Sequence, residues 1–161
     1  MSSALMAQDT DKYAEKVASI DSIMYNLYAV ISGEKGEARN WELFDYLFTP
    51  DAKLIPVGKD KEGKIGYQVM TPAGYKERAG KWLEENGFHE IEIWRKVETF
   101  GSVTHVFSTY ESYYSKNDEK PFTRGINSIQ LLHDGNRYWV MTIYWNGESE
   151  ENPIPQKYLP E

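Results

Sequence analysis

Two histidines in the second half of the chain offer the clearest chemistry. His89 and His105 lie in segments rich in Val, Thr and aromatic residues, and Glu90 and Glu92 stand beside His89. Imidazole titrates near neutral pH, so either side chain could act as the general base or acid of a small active site. The competing interpretation is a strand histidine that is exposed or hydrogen-bonded and has no catalytic task. His89 and His105 are therefore candidate catalytic residues.

Several other chemistries find no support in the sequence. The chain has no cysteine, and its three histidines, His89, His105 and His133, show none of the short spacings of a metal site. A P-loop, a dinucleotide-binding glycine pattern and a nucleophile elbow are also absent from the sequence. The sequence thus predicts neither a bound metal nor a cofactor.

The composition points to one domain that is rich in aromatic rings. A length of 161 residues suits a single well-cored unit. The net charge of −7, with Lys and Arg scattered singly, disfavours nucleic acid and anionic membranes as partners. No window approaches the roughly 20 apolar residues of a membrane span. Twelve Tyr, six Phe and five Trp can line a cavity as well as fill a core.

The first residues leave the localisation open. Residues 1–10 lack the basic start and the full apolar stretch of a signal peptide, which favours a disordered N-terminus and a cytoplasmic protein. The run Ala4-Leu5-Met6-Ala7 also fits the end of a cleaved signal sequence, which would indicate export.

Helical patterns dominate the first half of the chain. One helix is predicted over residues 11–32, ended by Gly33 in the left-handed conformation, because apolar residues recur there at spacings of three and four. Asn40 is a suitable N-cap for a short second helix. Thr71 followed by Pro72 starts a third helix, which Gly87 ends. Between the last two helices, residues 52–56 and 65–70 predict a hairpin.

Strand patterns dominate the second half. Residues 88–100, 103–115, 124–133 and 137–146 are dense in β-branched and aromatic residues and are separated by turn-forming residues. They predict a long antiparallel meander. The acidic, proline-containing tail, residues 148–161, is expected to be an extended arm that packs late or not at all. The predicted class is α+β, with three helices packed on a strongly curved, mostly antiparallel sheet of about six strands.

Three local phrases carry a resemblance to a known superfamily. They are Leu47-Phe48-Thr49-Pro50-Asp51-Ala52-Lys53-Leu54, Val106-Phe107-Ser108-Thr109-Tyr110 and Arg137-Tyr138-Trp139-Val140-Met141. Together with the element order, they resemble the NTF2-like superfamily. This cone-shaped fold is shared by nuclear transport factor 2, ketosteroid isomerase, scytalone dehydratase and the SnoaL-like cyclases. The resemblance covers residues 11–147, the expected domain, and by itself it implies a fold more than a function.

The resemblance implies that the concave face of the sheet lines a cavity beneath the first two helices. The implied ligand-binding residues are Tyr25, Trp41, Ser108, Tyr110, Asn127 and Trp145. Trp139, Met141 and Ile143 are expected on the same face as Trp145, because side chains alternate along a strand. Ordinary core packing is the alternative for Tyr25 and Trp41. For the three polar residues of the set, the alternative is a satisfied hydrogen-bond network.

The carboxylates that serve as bases in this superfamily have no counterpart here. Ketosteroid isomerase-like members carry an acid just before the proline of the first strand, where this chain has Ile55 before Pro56. SnoaL-like cyclases use an aspartate on a late strand, whereas Asp134 belongs to a turn. The candidates that remain are His89 and His105, and a histidine base would resemble the dehydratase-like members.

Two functions of different kinds follow. The first is a pocket for an apolar or aromatic cyclic ligand, with or without lyase or isomerase activity. The second is a dimeric interaction module similar to nuclear transport factor 2, in which Trp139, Met141 and Trp145 would plug the cavity. A homodimer is expected in either case, because the opposite sheet face is apolar and would form an interface. That face comprises Val103, Phe107, Ile126, Leu132, Val140 and Tyr144.

Overall fold

The computed structural model describes residues 12–161. The predictions for residues 1–10 and for a helix start at Asp11 lie outside this range. In chain order the elements are a 3₁₀ turn (Ala14–Val17), α1 (Ile20–Ala29), α2 (Trp41–Leu47), β1 (Phe48–Lys59), β2 (Ile65–Tyr67), α3 (Pro72–Asn86), β3 (His89–Phe100), β4 (Val103–Tyr113), β5 (Thr123–His133), β6 (Tyr138–Gly147) and a second 3₁₀ turn (Gln156–Tyr158). The predicted α+β class, with three α-helices and six strands, is confirmed.

The first helix is shorter than predicted. Ser19 has extended backbone angles (φ −139°, ψ 164°), and its hydroxyl accepts a 3.0 Å hydrogen bond from the backbone N–H of Ser22. This N-cap separates the 3₁₀ turn from α1, so the prediction of one helix over residues 11–32 is wrong. The apolar spacing continues across the break because Val17 and Ile23 both enter the core. Such spacing does not reveal a serine that caps a new helix.

Gly33 does not end the helix in the predicted way. α1 stops at Ala29, and Gly33 has no positive φ. Its backbone instead exchanges two hydrogen bonds with Phe88, of 2.8 and 3.0 Å. A Cβ at Gly33 would overlap the guanidinium of Arg39. That buried guanidinium donates 2.9 Å hydrogen bonds to the carbonyls of Gly33 and Leu83, which ties the loop after α1 to α3.

The caps of the other two helices match the sequence prediction. Asn40 Oδ1 accepts a 3.0 Å hydrogen bond from the N–H of Leu43, and Thr71 Oγ1 accepts one of 3.1 Å from Gly74. Gly87 ends α3 with a φ of 76°, a value that glycine adopts without a steric cost. No helix among the described residues combines the length and the apolar character needed to cross a bilayer.

The strands form one sheet in the order β2-β1-β6-β5-β4-β3. The predicted hairpin between β1 and β2 and the meander from β3 to β6 are both present as antiparallel pairs. β1 lies beside β6 in a parallel pair, which brings the two halves of the chain together. The inner face of the sheet and the three helices enclose the hydrophobic core.

A bulge in β6 changes which residues face the core. The pairing of β6 with β5 skips Met141, and Val140 pairs with Leu131. Because side chains alternate, the extra residue turns Val140 inward, where it is 0% exposed. The predictions of Val140 on the outer face and of Trp139 and Met141 on the inner face are therefore wrong. Met141 is exposed, and the Trp139 indole N–H donates to Asp134 in the nearby turn, at 2.8 Å.

The C-terminal tail packs on the outer face of the sheet. The ring of Tyr158 lies 5.4 Å from that of Trp94 and 5.1 Å from that of Phe107. Thr109 Oγ1 donates a 2.7 Å hydrogen bond to the carbonyl of Tyr158. Of the two expectations for the tail, an arm that packs late or one that does not pack, these contacts rule out the second, because the tail covers apolar surface that the strands leave on the outside.

Candidate functional site

A cavity of about 140 Å³ lies between the helices and the concave face of the sheet. α1, α2, α3 and five of the six strands or their flanking residues contribute to its wall. The lining residues are Leu27, Tyr28, Ile31, Phe44, Phe48, Leu54, Tyr75, Phe88, Glu90, Tyr110, Asn127, Ile143 and Trp145. The wall is thus mostly apolar and aromatic, with a few polar groups, as is typical of a small-molecule site.

Glu90 is the acidic group of the cavity. It enters from β3, and Ser112 Oγ on the neighbouring strand donates a 3.0 Å hydrogen bond to its Oε2. Burial raises the pKa of Glu90 from 4.5 to about 7, and hydrogen bonds from Ser112 and Asn127 offset part of that rise. Glu90 can therefore exchange a proton near neutral pH.

Two phenol hydroxyls share the cavity with this carboxyl. Tyr75 enters from α3 and Tyr110 from β4, and both line the cavity wall. Neither hydroxyl has a hydrogen-bond partner among residues 12–161. Burial and the nearby Glu90 raise the pKa of both phenols above the usual range, so each stays protonated at neutral pH. Each hydroxyl is therefore free to donate a hydrogen bond to a ligand or to accept one from it.

Tyr28 lines the cavity too, but its hydroxyl has hydrogen-bond partners. Its hydroxyl accepts a 3.0 Å hydrogen bond from Asn127 Nδ2 and lies 2.7 Å from Ser108 Oγ. Ser108 in turn donates to the carboxylate of Glu92. With the Ser108 proton directed at Glu92, the Tyr28 hydroxyl is the donor to Ser108. This network holds Asn127 and Tyr28 in place beside the cavity.

Comparisons with known proteins bear on the fold. No protein-family model and no curated protein matches the chain. A solved NTF2-like protein from Shewanella baltica matches with a TM-score of 0.53 at 10% identity, over 93% of this chain and 100% of that one. An NTF2-like protein from Silicibacter pomeroyi matches with a TM-score of 0.55 at 9% identity, over 81% of this chain and 94% of the other. The chain has the NTF2-like fold.

A third structure agrees with this assignment. A protein of unknown function from Mycobacterium tuberculosis matches with a TM-score of 0.61 at 12% identity, over 95% of this chain and 82% of that chain. At such identities the likeness shows the fold alone, and this fold hosts unrelated functions. Any function of the present NTF2-like chain must therefore be argued from its own cavity.

Half of the predicted ligand-binding residues line the cavity of this NTF2-like fold. Tyr110, Asn127 and Trp145 do so, whereas Ser108 is buried behind the wall in the Tyr28 network. Trp41 packs edge-on against Phe44, at 5.3 Å between ring centroids, and does not line the cavity. Tyr25 is 72% exposed and borders an outer groove between α1 and β3. Tyr25 directly follows Met24, which belongs to the predicted apolar stripe of the first helix, and it is Met24 that is buried.

Neither candidate histidine lines the cavity. His89 borders the outer groove, and its Nε2 lies 3.1 Å from Glu34 Oε1 without hydrogen-bond geometry. His105 lies on the outer face of the sheet, where its Nε2 is 3.0 Å from Ser128 Oγ. The proposed histidine base is thus corrected by position. Side-chain alternation sends His105 away from the inward-facing Thr104 and Val106, and it is Glu90 that reaches the cavity from β3.

The sequence interpretation missed Glu90, Tyr75 and Tyr28 as site residues. Alternation along β3 separates Glu90 from His89, and this signal was present in the sequence. Tyr75 and Tyr28 lie on the apolar faces of their helices, where a tyrosine is ordinarily interpreted as a core residue. Among the described residues, no three His, Cys, Asp or Glu side chains are grouped so that they could hold a metal ion.

Proposed function

We propose that this protein binds a small organic molecule in the central cavity, against Glu90, Tyr75 and Tyr110. The observation that carries the proposal is that Tyr75 and Tyr110 both line the cavity and that neither hydroxyl has a hydrogen-bond partner among residues 12–161. Buried polar groups are ordinarily paired, and the unpaired ones in a native structure need an explanation. A ligand with a polar group would satisfy both hydroxyls and Glu90 at once.

The cavity volume limits the ligand to about one ring. An engineered cavity of about 150 Å³ lined by apolar residues accommodates benzene, and the present cavity measures about 140 Å³. Fused-ring molecules such as steroids exceed this volume. The expected apolar or aromatic cyclic ligand is therefore a single-ring compound with a polar substituent.

The cavity supports proton transfer to or from the bound ligand. Glu90 has a pKa of about 7, close to the value at which a general acid or base works best at neutral pH. The two phenols are hydrogen-bond donors that stay neutral, and they could hold a ligand oxygen in place. Proton transfer is the elementary step of the lyase and isomerase reactions that the resemblance implies.

The alternative of a non-catalytic interaction module is less well supported. That hypothesis expected Trp139, Met141 and Trp145 to plug the cavity. Trp145 borders the cavity without filling it, and Met141 is exposed on the other side of the sheet. An unfilled cavity with convergent polar groups favours a ligand.

The proposal is tested by adding single-ring probes to the purified protein. Cyclohexanone, toluene and benzyl alcohol are titrated while the NMR signals of Tyr110 and Trp145 and the melting temperature are recorded. At about a hundred times its dissociation constant, a bound probe stabilises the fold by roughly 2.7 kcal/mol. For a domain of this size the melting temperature then rises by about 5–11 °C.

A cavity-filling variant provides the control. Ile143→Phe adds volume to the cavity wall and is expected to abolish binding, whereas Met141→Phe, on the exposed side of the same strand, is expected to leave it unchanged. Circular dichroism checks that both variants fold. If no probe binds the wild type, or if Ile143→Phe binds as well as Met141→Phe, the proposal fails.

A further inference from the structure

The carboxyl of Glu90 has no countercharge in the cavity. Among the thirteen lining residues Glu90 alone carries a charge, and no Lys, Arg or His is present there. Its hydrogen-bond donors, Ser112 and Asn127, are neutral. Buried carboxylates in proteins are ordinarily paired with a cation or hydrogen-bonded to several donors. The fold therefore holds a desolvated acidic group for which it provides no positive partner.

Aromatic rings surround this carboxyl. Seven of the thirteen lining side chains are aromatic, including Phe44, Phe88 and Trp145. The faces of aromatic rings carry partial negative charge and attract cations, more strongly when the pair is shielded from water. The cavity thus combines one anionic group with a wall that favours a positive charge over a negative one.

We propose that the ligand of this cavity is a small amine with one ring, bound as the ammonium ion against Glu90. This inference rests on the proposed function and names its ligand class. The ammonium N–H groups donate to Glu90, and the oxygens of Tyr75 and Tyr110 lie in the same wall as further acceptors. A neutral amine that meets protonated Glu90 takes the proton from the carboxyl oxygen, which leaves a carboxylate and an ammonium ion.

Much of the free-energy cost of desolvating the Glu90 carboxyl is met when the protein folds. A buried ion pair gains little when both ions must leave water on binding. Here Glu90 is already partly buried before the ligand arrives, so less of the desolvation cost remains to be met on binding than for two fully hydrated ions. An anionic ligand of the same size would meet the Glu90 carboxylate without any cation to balance it. The same geometry therefore selects against carboxylic acids and phosphates.

Among the cavity residues, Glu90 is the one group that titrates near neutral pH, as the groups that face it show. Tyr28 faces it from α1, Tyr75 from α3 and Tyr110 from β4, and the pKa of each phenol is raised by burial. Asn127 faces it from β5 and does not titrate. Amine binding is therefore expected to follow the ionisation of Glu90.

Charged groups near this wall are engaged elsewhere. The outer groove is bordered by Glu90 and also by His89, Glu92 and Arg95 of the same strand, and Arg95 is paired with Asp21 and Glu92. Arg39 lies near Tyr75, and its guanidinium donates to the backbone carbonyls of Gly33 and Leu83. His89, Glu92, Arg95 and Arg39 do not line the cavity.

The test compares benzylamine with benzyl alcohol, which has nearly the same shape and no charge. At about pH 8 benzylamine is expected to bind at least about tenfold more tightly than the alcohol. Below the pKa of Glu90 the affinity for benzylamine should fall by up to about tenfold per pH unit, whereas that for benzyl alcohol stays nearly constant.

Glu90→Gln removes the charge while keeping the size of the side chain. Benzylamine affinity should drop at least about tenfold in this variant, and benzyl alcohol affinity should change by less than about twofold. Glu98→Gln, at an exposed position of the same strand and outside the cavity wall, is the matched control and should bind both probes like the wild type. NMR titration of the Glu90 carboxyl adds a readout in the wild type. Its pKa should fall when benzylamine binds and should not fall with benzyl alcohol.

The outcomes separate this inference from the proposed function. Equal affinities for the two probes in the wild type, or a Glu90 pKa that does not fall with benzylamine, overturn the amine inference while the cavity remains a ligand site. Unchanged benzylamine affinity in Glu90→Gln does the same. Absence of binding by benzylamine, benzyl alcohol and cyclohexanone overturns both. If Glu90→Gln does not fold, the wild-type titrations alone decide.

Discussion

Glu90 and His89 are adjacent in the sequence, and only Glu90 reaches the cavity. Strand alternation predicts that adjacent residues face opposite sides of a sheet. It does not say which of the two faces inward, and histidine is the more usual candidate for a general base. The partners that settle the matter come from distant parts of the chain: Ser112 donates to Glu90, and Tyr75 lies across the cavity.

Glu90 should make the stability of the protein depend on pH in an unusual direction. Its pKa is raised from 4.5 to about 7 in the folded state, so the folded protein binds this proton more tightly than the unfolded chain. The resulting stabilisation is complete below about pH 4.5 and is lost as the pH rises through about 7. Above that pH the ionised carboxyl costs up to about 3 kcal/mol.

Glu90→Gln is therefore expected to stabilise the protein at about pH 8 by up to about 3 kcal/mol, and by much less at about pH 5. Urea unfolding of both proteins at the two pH values measures this difference. Glu119→Gln, at an exposed position, is the control and should show no such pH-dependent difference. A Glu90→Gln variant that is less stable than the wild type at about pH 8 would contradict the assigned desolvation. Ligand sites are commonly retained at such a cost in stability.

Local signals predicted most of the elements correctly. Asn40, Thr71 with Pro72, and Gly87 mark helix ends through contacts with their immediate neighbours, which are visible in a sequence. Among the missed features, the break at Ser19 arises from a local cap within a continuous apolar spacing, and the bulge at Met141 arises from the pairing of β6 with a separate strand. The bulge had the larger effect, because it reversed the predicted faces of part of β6.

Ser19 is expected to contribute to stability as a helix cap. Ser19→Ala removes the hydroxyl that accepts the Ser22 N–H, so the free energy of unfolding should fall by about 1 kcal/mol. Ser102→Ala, at an exposed turn whose side chain has no hydrogen bond among the described residues, should change it by less than about 0.5 kcal/mol. Urea unfolding compares the two. Equal effects would contradict the stabilising role assigned to the Ser19 cap.

At the scale of the whole molecule, the tail changes the argument for a homodimer. Phe107 was predicted to be part of the interface, but Tyr158 of the same chain packs on its ring. The part of the outer face that the tail leaves uncovered lies on β1, β2 and β6. Tyr144 is 49% exposed and Tyr67 is 75% exposed, and both border one shallow hollow with Ile55. Apolar surface of this kind is typical of an interface.

A charged residue at Tyr144 is the appropriate test of the dimer. Charge at Phe107 would also release the tail, whereas Tyr144 has no ring contact among the described residues and lies outside the core cluster. Sedimentation at micromolar concentration should give about twice the chain mass for the wild type and one chain mass for Tyr144→Lys, because an interface does not tolerate an unpaired buried charge. Phe100→Lys, at an 89% exposed position in the β3–β4 turn, should remain dimeric.

The predicted dimer interface and the cavity lie on opposite faces of the sheet, and the same variant tests them separately. Tyr144 faces away from the cavity, whose β6 wall is formed by Ile143 and Trp145. A monomeric Tyr144→Lys should therefore bind the single-ring probes as the wild type does. If it loses both the partner and the ligand while remaining folded, the second copy must support the cavity wall, and the cavity could not be treated as the property of one chain. A wild-type protein that sediments as a monomer would contradict the predicted dimer directly and would leave the proposal for Glu90 intact.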